Sequence, residues 1–236
     1  MAYTKSVARQ EFEQTISMFN CQIKFASLKK NAIPHDIQQC VYRNAIFQSS
    51  AAVEEFVKSI LEDWVHLLHV HNKTVSSIPR ELMVWAVAKC QKATFQNFIA
   101  SGDENKLIKQ LSDNCKLFSI FEVDAYIKDI IGLSEHISDR KYPSEKNIIV
   151  LFKRFGINDL FKSIQIEGKK DYKRILKSFS DVRTEIAHEH PAPDLTSLDV
   201  KEQLTEICDF IAKIDMVMYS HVVAISGRVC WKTSRF

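Results

Sequence analysis

Glycine and proline are scarce, with five of each in 236 residues. A β-rich chain needs many tight turns, which draw on both residues, so their scarcity points to helices. No apolar run approaches the ~18 residues of a membrane span. The opening MAYTKSVARQEFEQ lacks the apolar core of a secretory signal. The six cysteines stand at 21, 40, 90, 115, 208 and 230, with no C-x-x-C and no close pair. That spacing argues against a structural zinc site and predicts reduced, mostly buried thiols in a cytoplasmic protein. There is no Gly-rich phosphate loop, no H-E-x-x-H and no G-x-S-x-G. A formal charge of +3 allows an anionic partner without requiring one.

What is present is helical periodicity. Phe12, Ile16, Phe19, Ile23 and Phe25 predict a first helix over 6–30. Pro34 and Asp36 open a long second helix reaching about Val70, with a stripe of Ile46, Val53, Phe56, Val57, Ile60, Leu61, Trp64 and Leu68. A third helix starts at Ile78-Pro79 and ends near Gly102, a C-cap, with Asp103 as the next N-cap. KLFSIFEVDAYIKDIIGL reads as a short strand or turn followed by a helix. DRKYPSEKN is a loop whose Ser144 caps a helix ended by Gly156. A short helix from Asn158 to Ile164 follows, then a turn at EGKK, a helix over about 170–188, and a last helix over about 197–224 led by Leu198 and Leu204. The tail SGRVCWKTSRF reads as basic and loosely held. The expectation is one all-α domain over 1–236, with a helical insertion at about 72–140 and a basic tail at 226–236.

The stretch SFSDVRTEIAHEHPAPD carries the main functional signal. At ~100° per residue, Tyr172, Ile175, Leu176, Phe179, Val182 and Ile186 share a ~120° sector of their helix, and Arg183 falls inside it. A guanidinium there is costly unless it is paired or faces a wet crevice. Three arrangements are open: a buried ion pair, a packed stem with its head in water, or an active site. On the second helix Glu54 lies at the stripe's edge beside Val53 and Val57, whereas Glu55 points to solvent, so Glu54 is the better partner for Arg183. His188 projects ~140° from Arg183 if the helix runs that far, and Pro191 stops the helix soon after. A histidine at a helix C-terminus caps carbonyls, binds phosphate or transfers protons.

VRTEIAHEHP resembles the R-x4-H motif of the HEPN superfamily, an arginine near a helix end followed by a histidine. PSEKNIIVLFKRFGINDLF and KSFSDVRTEIAHEHP are similar in layout to the RiboL-PSP-HEPN branch, in which a short helical element ending in a Phe–Gly or similar turn precedes the motif helix. SSAAVEEFVKSIL resembles that branch's early helix with its acidic residue. The likeness covers about 41–70 and 144–224. It implies an all-α, up-and-down helical bundle with a helical insertion, paired as a two-fold homodimer whose cleft forms where two motif helices meet. It also implies a metal-independent endoribonuclease that needs no cofactor, acts on RNA, and serves as a toxin or anti-phage effector with a cognate antitoxin or defence-system partner. Carried over, Arg183 and His188 are the catalytic motif pair and Glu54 their acidic partner. Thr184 stands where the family most often has Asn, and a hydroxyl lacks the two-sided hydrogen bonding of an amide. Some members are silent modules that bind RNA, nucleotide or protein, which is the alternative reading.

Two further clusters enter. Lys170, Lys173, Arg174 and Lys177 lie on the outer side of the motif helix, as a solvated face or as an RNA phosphate track that includes Thr184. His66, His69 and His71 allow one same-face pair, His66 and His69, and no further metal ligand can be named. A helical interaction protein with an accidental R-x4-H match is the third reading.

Overall fold

The computed structural model describes residues 2–113, 115–122, 124–129, 144–188 and 193–234. Among them are eight α-helices and no strand. In order these are α1 (Val7–Ser27), α2 (His35–Val70), α3 (Arg80–Ser101), α4 (Glu104–Asp113), α5 (Glu145–Arg154), α6 (Leu160–Gly168), α7 (Tyr172–His188) and α8 (Ser197–Ser226).

Local chemistry sets most of the helix ends. The side chains of Ser6, Ser144, Asp159 and Thr196 accept backbone N–H bonds at the starts of α1, α5, α6 and α8, and Asp199 completes a capping box with Thr196. Gly102 takes the left-handed conformation that ends α3, and Asp103 accepts from Lys106 N to start α4. The segment 115–129 forms 3-10 turns at Cys115–Phe121 and Ile127–Asp129, tied to Thr74 by a single bridge at Tyr126, where the sequence allowed a strand. The part of that segment expected to be helical beyond residue 129, and most of the loop before Ser144, lie outside the described residues.

α2 is the spine. Its 36 residues bury Ile46, Val53, Phe56, Val57, Ile60, Leu61, Trp64 and Leu68, as the periodicity predicts. Phe12 meets Phe56, so α1 runs antiparallel to α2. Gln39 touches Leu195 just before α8, and Trp64 Nε1 donates to Ser226 Oγ at its end, so α8 runs parallel to α2. α7 lies against both α2 and α8. The result is an up-and-down bundle of α1, α2, α7 and α8, with α3 to α6 beside it.

Three expectations need correction. The turn at EGKK starts later: Glu167 and Gly168 are helical, and Lys169 takes the left-handed conformation. The helix Gly168 has a packing reason, because a Cβ there would meet Tyr172 Oη at 1.8 Å. The tail is not loose over its described part. Cys230 and Trp231 are buried, Trp231 Nε1 donates to Thr4 O, Val7 N donates to Lys232 O, and Lys232 pairs with Asp63 at 2.7 Å. Two stripe positions face solvent: Phe25, expected in the α1 stripe, is 61% exposed, and Leu198, expected to lead the α8 stripe, is 63% exposed, whereas Ile23, Val200, Leu204, Ile207 and Ile211 are buried.

Candidate active site on the motif helix

α7 presents the two faces that its sequence predicts. Tyr172, Ile175, Leu176 and Phe179 are buried, and Val182 and Ile186 pack against the same core. The opposite side, with Lys170, Lys173, Arg174 and Lys177, is exposed.

Arg183 is half-buried on the inner side. Its guanidinium carbon lies over the ring of Phe47 on α2, 4.7 Å from the centroid. A cation over an aromatic face is worth about 0.5–2 kcal/mol, more as it is desolvated. This contact answers how an arginine sits among leucine-like positions: an aromatic face replaces part of the lost hydration. Glu54, half-buried, lies two turns further along the same side of α2, and Glu55 is exposed, as the wheel predicts.

The helix does continue to His188, which is exposed in its last turn. Five residues of helix separate it from Arg183, so the two side chains leave the axis ~140° apart and ~7.5 Å apart along it. Within one copy they do not share a face.

The backbone after the motif is held firmly to α2. Arg43 donates from Nε and Nη2 to Pro193 O at 3.3 and 3.2 Å, and from Nη2 to Asp194 Oδ1 at 3.3 Å. Buried Gln39 exchanges two bonds of 2.9 Å with the Leu195 backbone, one from its amide to Leu195 O and one from Leu195 N to its carbonyl oxygen. Along α2 these contacts run in reverse of chain order, Phe47 to Arg183, Arg43 to Pro193, Gln39 to Leu195. α7 and the following segment therefore run antiparallel to α2. Phe47, Gln39 and Arg43 have no signature in the sequence. Phe47 lies one residue off the apolar stripe, and the other two act on residues some 150 positions away.

The start of α7 is fixed by carboxylates. Lys170 Nζ and Tyr172 Oη both reach Asp209 Oδ2 on α8, at 2.7 and 3.0 Å. Burial pushes the Asp209 carboxyl up, but its bonds from Lys170 and Tyr172 leave it below the ordinary range. Burial and the adjacent Asp209 raise the Tyr172 phenol. Lys173 pairs with Glu145 on α5 at 3.0 Å and lies over Phe161. Two of the four expected phosphate-track cations are thus already held by carboxylates, whereas Arg174 and Lys177 make no ion pair among the described residues. Thr184 Oγ donates to Ser180 O at 2.8 Å. In that bond it offers only lone pairs, which suit a hydroxyl or amino donor and not a phosphate oxygen.

The remaining expected features sit away from α7. Burial lowers the His69 imidazole, with His66 adding to the effect. No cluster of three His, Cys, Asp or Glu with metal-binding spacing occurs among the described residues. Of the described cysteines, Cys21 and Cys40 are exposed, Cys208 is half-buried and Cys230 is buried, so "mostly buried" overstates the pattern. Burial pushes the Cys208 thiol up to about 11. No described helix is long and apolar enough to cross a membrane.

No curated protein and no solved structure matches the chain. The RiboL-PSP-HEPN family model matches residues 15–219, which takes in α2 to α7 whole, the later part of α1 and most of α8. The chain belongs to the RiboL-PSP-HEPN family.

Proposed function

We propose that the protein is a metal-independent endoribonuclease whose cleft forms where the α7 helices of two copies meet. The observation that carries this reading is the end of α7. A half-buried arginine is held on an aromatic ring, and five residues later a histidine stands exposed in the last turn. RNA supplies its own nucleophile, the 2′-hydroxyl beside the scissile phosphate. His188 removes or returns a proton, and Arg183 meets the charge that builds on the phosphoryl oxygens. The 2′-oxygen bonds to phosphorus as the 5′-oxygen leaves with a proton, giving a 2′,3′-cyclic phosphate and a 5′-hydroxyl. Two side chains ~140° apart on one helix converge when two helices line one cleft across a two-fold axis. In this reading Glu54 is the acidic residue that balances Arg183, while Arg174 and Lys177 hold the RNA backbone, with Lys170 and Lys173 joining if released from Asp209 and Glu145. A toxin or defence role with a cognate inhibitory partner fits such an activity.

The second reading, a silent RNA- or nucleotide-binding module, draws on Thr184, whose hydroxyl proton is spent on Ser180. RNA cleavage in EDTA separates the two. The first reading expects cleavage by the wild type and a loss of about a hundredfold or more in Arg183→Ala and in His188→Ala. Cleavage that survives both changes removes the assigned site, and RNA binding without cleavage selects the silent module.

A further inference from the structure

A second basic site lies on the far side of α5 from the motif. Between α3 and α5 runs an open groove of about 660 Å³. Its wall is apolar, with Val84, Trp85 and Val150, and Val84 is 49% exposed. Among the described residues, Arg80, Lys153 and Arg154 rim it against one carboxylate, Glu81. The Arg154 guanidinium carbon lies over Trp85, 4.3 Å from the ring centroid, and Lys89 Nζ is 5.1 Å from the same centroid. Arg80 and Lys153 make no ion pair among the described residues, unlike Lys170 and Lys173.

We propose that this groove binds single-stranded RNA, with phosphates on Arg80 and Lys153 and a base against the wall formed by Trp85 and Val84. The proposal rests on the reading of the protein as one that acts on RNA, and it names a contact beyond α7. Three features select the ligand. The excess of cations calls for a polyanion. The apolar wall calls for a ligand with an uncharged face, which a base provides and a bare phosphate does not. The volume falls within the ~300–1,000 Å³ of sites for small ligands and suits unpaired nucleotides better than a duplex. The planar Trp85 ring, with the Arg154 cation beside it, offers the aromatic, cationic surroundings on which unpaired bases rest. An acidic protein helix would satisfy the charge but would make little use of that planarity. α5 joins the groove to the motif helix: its first residue, Glu145, pairs with Lys173 of α7, and Lys153 and Arg154 stand about 12–14 Å further along its axis.

The test uses the full chain carrying Arg183→Ala, so that bound RNA stays whole, with fluorescein-labelled oligouridine and oligoadenosine of twelve nucleotides as probes. Adding Arg80→Ala and Lys153→Ala is expected to weaken binding about tenfold at 150 mM salt and to reduce the slope of log affinity against log salt by about 1.4, the share of two phosphate contacts. Both residues are exposed, so the fold, checked by circular dichroism, should hold. Val84→Glu, which places a charge on the wall, should weaken binding to a similar degree. Unchanged affinity and slope in these variants overturn the groove assignment, whatever the cleavage assay shows. Displacement of the probe by polyglutamate as readily as by unlabelled RNA marks a site for acidic protein and also overturns it. A wild type that cleaves nothing, but whose RNA binding still falls with Arg80 and Lys153, sinks the nuclease reading and leaves the groove standing.

Discussion

Arg183 is tolerated on the inner side of α7 because Phe47 offers it an aromatic face. The helical wheel made the arginine's half-burial legible, as it did the contrast between Glu54 and Glu55. It could not reveal Phe47, which sits off the apolar stripe of α2 and is 40% exposed. Only tertiary packing brings the two together. In the proposed mechanism Phe47 is a positioning residue. Phe47→Leu keeps apolar bulk and removes the π-face, so about 0.5–1 kcal/mol of placement is lost. Steady-state cleavage should show kcat reduced about two- to fivefold with KM little changed. An unaltered kcat would mean that the ring does not hold Arg183 for chemistry.

At the scale of the element, α7 is pinned at both ends by residues that no pattern within α7 announces. Its end follows from Gln39 and Arg43 gripping 193–195, and its start from Asp209 receiving Lys170 and Tyr172. EGKK looked like a turn because Gly is a poor helix former and commonly ends helices. The structure runs α6 through Gly168, and the residue there is glycine because Tyr172 occupies the space where a Cβ would stand. Gly168→Ala must therefore displace a fully buried tyrosine and break its bond to Asp209. The expected cost is about 2–3 kcal/mol, seen as a fall in Tm of roughly 5–10 °C. A Tm within a degree of wild type would refute this account of the α6–α7 junction. On α8, His221 Nε2 donates to Phe155 O at 2.7 Å and its ring meets Trp64 edge-on. Burial lowers this imidazole, with the Phe155 carbonyl and Glu81 opposing more weakly. A folded value below the unfolded one means that the unfolded chain binds the proton first. Stability from His221 is then full above about pH 6.5 and is lost as pH falls through the folded value. An NMR titration should find its midpoint below 6.5. A midpoint above that value would show the buried ring accepting charge readily.

Across the whole molecule, the all-α bundle was legible because α1, α2, α7 and α8 each carry a clean apolar period. The tail was not, because its order comes from contacts with residues far away in the chain: Trp231 with Thr4, Lys232 with Val7 at the N-terminal end and with Asp63 on α2. A short basic segment with one Trp carries no periodicity from which such closure can be read. One copy of α7 sends Arg183 and His188 to different faces, so the proposed activity needs a second copy. Mixing Arg183→Ala with His188→Ala chains, after dissociation and reassociation, tests this directly. If Arg183 of one copy works with His188 of the other, half the dimers are mixed and each regains one of two sites, so about a quarter of the wild-type cleavage rate should return. A rate no higher than that of either variant alone would contradict a site shared between two α7 helices.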